Sequence, residues 1–458
     1  MARDVTVETT IDRSRLAGLM VREVKRFTET HPESRRIHAD AVKVLLSGVP
    51  MNWMTRWPGG FPITVAEARG ARVTDVDGIE YVDLCLGDTG AMAGHAPEAT
   101  VAAVDRQARR GITTMLPSED ATWVGAELGR RFGLPLWQFT LSATDANRFA
   151  IRLCREVTRR SKVLVYDHCY HGSVDETFAT LDEAGRVTPS FGNIGPPVPP
   201  AETTRVVLWN DAAALEEALA QEDVACVLAE PVMTNVGIVL PDAGYHTALR
   251  ELTRHHGTLL IIDETHTICA GPGGYTAANG LEPDLLTIGK AIGGGVPCGA
   301  YGMSAELAER VLAGTLWEVA DVGGVGGTLA GNPLSSAAMR ATLDRVLTDE
   351  AFERMIALGE RFERGVAGVI ERYGLPWHVV RVGCRSEYLF ARERPRNGRE
   401  AAESMDAELD AFMHLYALNR GVLLTPFHMM ALMSPATTEV DVDRHTAVFA
   451  EAVGELAG

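Results

Sequence analysis

Short apolar runs separated by amphipathic stretches dominate the middle of the chain. Residues 162–166 (KVLVY), 205–209 (RVVLW), 224–228 (VACVL), 258–262 (TLLII) and 285–288 (LLTI) are too short for helices and apolar at most positions. Such runs fit strands covered on both faces. Residues 211–220 and 245–256 lie between them with helical spacing, so strand and helix alternate from about residue 120 to 330. The pattern predicts an α/β domain with a mostly parallel sheet.

The flanks read differently. Residues 11–48 carry helical spacing, and 48–62 are rich in Gly, Pro and Trp. Residues 73–81 alternate around Asp77-Gly78, the signal of a two-residue hairpin. Charged amphipathic segments at 349–373, 400–420 and 440–456 predict helices near the C-terminus. We therefore expect a large domain over 86–335 and a smaller α+β domain joining 1–85 to 336–458. Gly192, Gly195, Pro196, Pro197, Pro199 and Pro200 break any regular element in 182–203. That stretch is predicted to be a long loop, suited to act as a lid.

Composition narrows the function. With 46% hydrophobic and 23% charged residues over 458 positions, the chain has the balance of a packed globular protein. A net charge of -18 repels phosphate backbones and anionic bilayers, which argues against nucleic acid or membrane as partner. Seven cysteines without a CxxC pair suit reduced thiols better than a disulfide framework or a zinc site. No apolar run reaches the roughly 18 residues of a membrane span, and the start MARDVTVETTIDRSRL lacks the apolar core of a signal peptide. A cytoplasmic protein is expected.

Ligands of parallel sheets sit at the carboxyl ends of the strands, and Asp167, Glu230, Asp263 and Lys290 follow four of the predicted strands. Lys290, in TIGKAIGGG, is placed to become an amine nucleophile toward an aldehyde cofactor. Alone it also fits a strand-end lysine that snorkels to solvent. Asp263 closes a very apolar strand, where an ionised carboxylate needs a cationic partner such as a pyridinium nitrogen. A helix cap or loop acid is the plainer alternative. Ser142, Ala143 and Thr144 precede a helical stretch at 148–158, so backbone N–H groups and hydroxyls there suit a phosphate. Ser and Thr also open many helices simply as caps.

In chain order these residues resemble the class III (ω-type) aminotransferases of the pyridoxal-5′-phosphate (PLP) fold type I. The resemblance is strongest to the glutamate-1-semialdehyde aminomutase and β-amino acid aminotransferase branch. The motifs that carry it are Ser142-Ala-Thr-Asp-Ala146, Cys169-Tyr-His-Gly172, Glu230-Pro231 with Asn235, Asp263-Glu264, Lys290 and Gly327-Thr-Leu-Ala-Gly-Asn-Pro333. It implies a mostly parallel seven-stranded sheet flanked by helices, with PLP held by Lys290 as a Schiff base. Asp263 and Tyr170 would share in catalysis, Tyr170 by stacking on the ring. Ser142, Ala143, Thr144, His171, Glu230, Asn235, Thr265 and Gly327 would surround the cofactor. Thr328 would reach the phosphate of a neighbouring subunit, which implies a homodimer or larger assembly. Ala143 and Asp145 replace the glycine and glutamate usual in the phosphate loop, and Thr265 replaces an aliphatic residue under the ring. A Rossmann-type nucleotide binder is disfavoured, because no GxGxxG follows an early strand.

The substrate positions depart further. By resemblance, Trp53 stands where relatives carry a carboxylate-binding arginine, with Arg56 close by. Residues 426–430 (PFHMM), including His428, hold neither the acid of the aminomutases nor the arginine of the β-amino acid enzymes, and Asp88 replaces an aromatic residue. Trp53 with Met429 and Met430 suggests an apolar group on the substrate. The expectation is a transaminase moving an amino group from an amine or amino acid donor to a carbonyl acceptor. The alternatives are a glutamate-1-semialdehyde-type aminomutase and a PLP-binding protein without turnover.

Overall fold

Leu136–Thr140 (β1), Lys162–Tyr166 (β2), Thr204–Val207 (β3), Val224–Ala229 (β4), Leu259–Asp263 (β5), Leu285–Gly289 (β6) and Gly299–Met303 (β7) pair into one sheet. Its order is β1-β7-β6-β5-β4-β2-β3. Only β7 runs against its neighbours, β6 and β1; the other pairings are parallel. This is the α/β architecture expected from the apolar runs. The computed structural model describes residues 11–458. The start of the segment read for a leader lies outside the described residues.

Strands β4, β5 and β6 are buried at every position, because helices cover both sheet faces. Successive side chains alternate between those faces. Ile261 and Leu285 pack with Phe149 and Ile151 on one side, while Leu260 and Ile262 pack with Trp209, Tyr245 and Leu249 on the other. Each such aliphatic side chain contributes about 1.5–3 kcal/mol of burial.

The described residues form two compact units, one of Pro97–Phe352 with Pro395–Glu403 and a smaller one of the other described residues. These limits differ from the compositional ones. Residue 336 lies inside the helix Pro333–Arg345, whose buried Ser336, Ala337 and Ala338 pack it into the larger unit beside Glu98–Ala108. Residues 86–96 stay with the smaller unit, where His95 Nε2 lies 2.6 Å from Asp83 and pairs by a bridge with Gly70. The smaller unit carries a sheet of Val65–Arg69, Arg72–Asp75, Glu80–Asp83 and Val422–Leu423, and a second of His378–Val382, Arg385–Leu389 and Met430–Leu432.

Three local readings change. The hairpin at Asp77-Gly78 has a three-residue connection: the Asp75 N–H donates to the Ile79 carbonyl at 3.0 Å, and Gly78 takes φ 82°. That is a turn closed by a left-handed bulge residue. Residues 182–203 contain structure, since Val187–Pro189 pairs with Ala179–Leu181 and Pro200–Thr203 forms a helical turn. Buried Asp167 anchors this hairpin by accepting from Thr180 Oγ1 (2.5 Å) and the Leu181 N–H (3.1 Å). The predicted helix at 400–420 is two helices, Gly398–Glu403 and Ala407–Leu418, because Asp406 caps the second through the Leu409 N–H. Among the described residues, no helix is long and apolar enough to cross a membrane.

Candidate active site

In the larger unit, the carboxyl ends of β2, β4, β5 and β6 and the start of the helix Ala143–Thr158 (α1) position the predicted chemistry. Asp263 ends β5 in register with Thr287 of β6. Its Oδ2 accepts from His171 Nδ1 at 2.9 Å and from Asn147 Nδ2 at 2.8 Å, and its Oδ1 accepts the Thr265 N–H at 3.0 Å. Thr287 Oγ1 in turn donates to Asn147 Oδ1 at 2.6 Å. A carboxylate accepts in several directions at once, and its anion suits a ring N–H.

Asp263, His171, Asn147, Thr265 and Thr287 are all buried. Burial pushes the Asp263 carboxyl up, but the hydrogen bond and charge of His171, with Asn147, outweigh it and hold it below the usual carboxylate range. Burial likewise favours neutral His171, yet its interactions with Asp263 and Cys169 raise it to about 10. The two form a buried ion pair.

That pair has a pH signature. A group raised on folding stabilises fully below its unfolded value, about 6.5 for histidine, and loses that stabilisation as pH rises through about 10. Asp263, held low, contributes above about pH 3.9 and loses this in acid. Urea unfolding of the apoprotein should place His171→Gln about 3–5 kcal/mol below wild type at pH 6. Most of that gap should be gone by pH 10. An equal gap at both values would contradict the ion pair.

Glu264, the neighbour of Asp263, serves the fold. It accepts the N–H groups of Tyr275 (3.1 Å) and Thr276 (2.5 Å) and the Thr267 hydroxyl (2.7 Å), capping the turn Gly274–Ala278. Burial raises its carboxyl.

Lys290 follows β6 in the left-handed region, φ 50°. Such backbone strain in a non-glycine residue concentrates at functional positions. Its Nζ lies 2.8 Å from His266 Nε2. Before it, Gly289 brings β6 against α1: a Cβ there would sit 2.9 Å from the Ala143 nitrogen.

Helix α1 starts at the Ser142 cap, whose Oγ accepts the Asp145 N–H at 3.2 Å. The Ala143 and Thr144 N–H groups have no partner within the helix and suit an anion. Thr144 Oγ1 accepts the Ser173 N–H at 3.1 Å, fastening the 170–173 segment to the helix start. Gly172 makes that approach possible, since a Cβ would lie 3.0 Å from Thr144 Cα.

The remaining predicted residues occupy the same unit. Tyr170 is 45% exposed, its ring 6.4 Å from that of Phe178. Glu230 follows β4, accepts the Thr234 N–H at 3.2 Å, and is pushed up by burial. Asn235 Nδ2 donates to the His168 carbonyl at 3.0 Å, and Gly327 and Thr328 are exposed. Thr265 Oγ1 and His171 Nε2 are buried and have no hydrogen-bond partner among the described residues. These orphaned groups, the Asp263 carboxylate, the α1 N–H groups and the Lys290 amine fit a phosphorylated pyridine aldehyde.

The substrate candidates lie in the smaller unit. The Trp53 ring meets Phe427 edge-on at 5.8 Å, and the Arg56 guanidinium stands 5.5 Å from the same ring. His428 Nδ1 lies 3.0 Å from Glu387 Oε1, and Arg385 lies 3.7 Å from Glu387 and 4.0 Å from Asp88. The structure thus joins Trp53 to Arg56 through Phe427, and Asp88 to His428 through Arg385 and Glu387, which sequence reasoning missed. Their signal was available: Arg385 and Glu387 are charges two apart in a strand buried at every position. Met429 and Met430 are core residues, 2% and 0% exposed, and lend no support to an apolar substrate.

Comparison with known proteins identifies the family. The model of the class-III aminotransferases matches residues 54–452. The chain is 37% identical over 434 residues to a glutamate-1-semialdehyde 2,1-aminomutase of Sorangium cellulosum, covering 92% of this chain and 96% of that one. It resembles the crystal structure of a glutamate-1-semialdehyde aminomutase from Pseudomonas aeruginosa PAO1, with TM-score 0.94 and 52% identity over 97% of this chain and 99% of that one. A lysine-to-alanine variant of that protein has been solved in complex with PMP. An ω-transaminase from Sphaerobacter thermophilus is 28% identical, with TM-score 0.84 over 93% and 98% of the two chains. The chain belongs to the class-III aminotransferase family.

Proposed function

We propose that this protein is a PLP-dependent aminomutase of the glutamate-1-semialdehyde type, shifting an amino group between adjacent carbons of one substrate. The observation that supports it is the likeness over nearly the full chain to proteins of that name. It replaces the transaminase expectation as the first reading. When bound, PLP supplies an aldehyde to which amines add and a pyridinium ring that draws electrons from the substrate carbon. Lys290 anchors the cofactor and, once its amine is free, moves the proton at the amine-bearing carbon. Asp263 takes the ring N–H, while His171 and Asn147 keep it ionised and in place. Ser142, Ala143 and Thr144 receive the phosphate, Tyr170 stacks on the ring, and Glu230, Asn235 and Thr265 complete the surround. Gly327 and Thr328 serve the neighbouring subunit's cofactor in a homodimer. Trp53, Arg56, Asp88 and His428 meet the substrate.

One observation favours a transaminase as second reading: Trp53 and residues 426–430 lack the arginine and acid of the aminomutase branch. The two readings separate with one substrate. Holoprotein given glutamate-1-semialdehyde alone should form the isomeric amino ketone well beyond one equivalent per site. Deaminated keto aldehyde that stops at one equivalent until a keto acid is added to take up the amino group would put the transaminase in its place. No product from this substrate, nor from a panel of amines and amino acids with a keto acid acceptor, would leave a PLP-binding protein without turnover.

A further inference from the structure

Asp263 and Thr287 are partners in the parallel pairing of β5 and β6. From that point the chain continues three residues past the end of β5 to His266, and three residues through the end of β6 to Lys290. Equal extension from one register point brings the two side chains together, and Lys290 Nζ lies 2.8 Å from His266 Nε2. The backbone on both sides is pinned. The His266 carbonyl accepts the Cys269 N–H (3.3 Å), and the following Thr267 and Ile268 are fully buried, with the Thr267 hydroxyl on Glu264 (2.7 Å). On the other side, Gly289 is held against the start of α1. His266 and Lys290 are both half-buried, so the contact lies at a mouth rather than in the core.

We propose that His266 is a positioning residue for the Lys290 amine. Its Nε2 accepts a hydrogen bond from Nζ and fixes the side chain's last torsion whenever the amine is not covalently engaged. A lysine carries four freely rotating torsions, and a base or nucleophile left to sample them loses rate by misorientation. The inference rests on the cofactor role proposed for Lys290.

The test compares His266→Leu, which removes the acceptor, with His266→Gln, which restores one at similar reach. Two readouts are taken: the rate at which apoprotein forms a borohydride-reducible adduct with added PLP at Lys290, and the split of kcat against KM. In His266→Leu, adduct formation and kcat should both fall roughly ten- to a hundredfold, with KM within about twofold and an unchanged melting temperature. His266→Gln should recover most of both rates. Should the leucine variant fail to fold, His266→Asn, shorter in reach, takes its place with the same expectation. Rates within twofold of wild type in the leucine variant would overturn the proposal, as would equal losses in both variants. Wild-type protein that forms no adduct at Lys290 would instead bring down the cofactor assignment itself.

Discussion

Replacing Lys290 with alanine is expected to abolish turnover. Among the described residues no other lysine follows β6. The chain's four lysines are Lys25, Lys43, Lys162 and Lys290. Lys25 on the helix Arg13–Thr30 and Lys43 in the turn after Pro32–Ala41 have side chains 75% and 69% exposed, and Lys162 pairs with Asp223 at the amino end of β2. Ligands gather at the other end of a parallel strand. The loss should be at least the roughly 10²–10⁴-fold that a positioned acid–base group supplies, because the same amine also anchors the cofactor. Lys290 is half-buried, so the melting temperature should stay close to that of wild type. The check is kcat of the purified variant with saturating PLP; activity within tenfold of wild type would remove Lys290 from the chemistry.

Asp263→Asn should be the second most damaging change. Asparagine keeps the size of the side chain but neither the charge nor the full set of acceptors, so a ring nitrogen held there would lose its anion. We expect kcat to fall roughly 10²–10³-fold, the range seen when one preorganised electrostatic contact is removed. His171 would also lose the carboxylate that keeps it protonated in a buried place. Breaking a buried pair from one side costs about 3–5 kcal/mol, so urea midpoints should fall in parallel. A variant with lowered stability and near-normal kcat would make Asp263 a structural residue only.

The parts of this site that the sequence exposed share a physical reason. β2, β4, β5 and β6 are buried on both faces, which writes them as unbroken apolar runs, and a charged residue at the end of such a run stands out. Asp263 and Lys290 were legible for that reason. β1 and β7 were not, because β1 has exposed positions and β7 (GAYGM) holds two glycines. Asn147 was also hidden. An asparagine inside a helix carries no signal until tertiary packing seals it between Thr287 and Asp263. His266 escaped notice because its partner is 24 residues away and the two meet only through strand register. Asp263 and Glu264 form one motif in the sequence and two roles in the structure, one facing the site and one capping a turn.

The central claim is that Lys290 forms the covalent link to PLP, and one measurement addresses it most directly. Holoprotein reduced with borohydride, digested and analysed by mass spectrometry should carry the phosphopyridoxyl mass on the peptide containing Lys290. Label on the peptides of Lys25, Lys43 or Lys162, or no label at all, would contradict it.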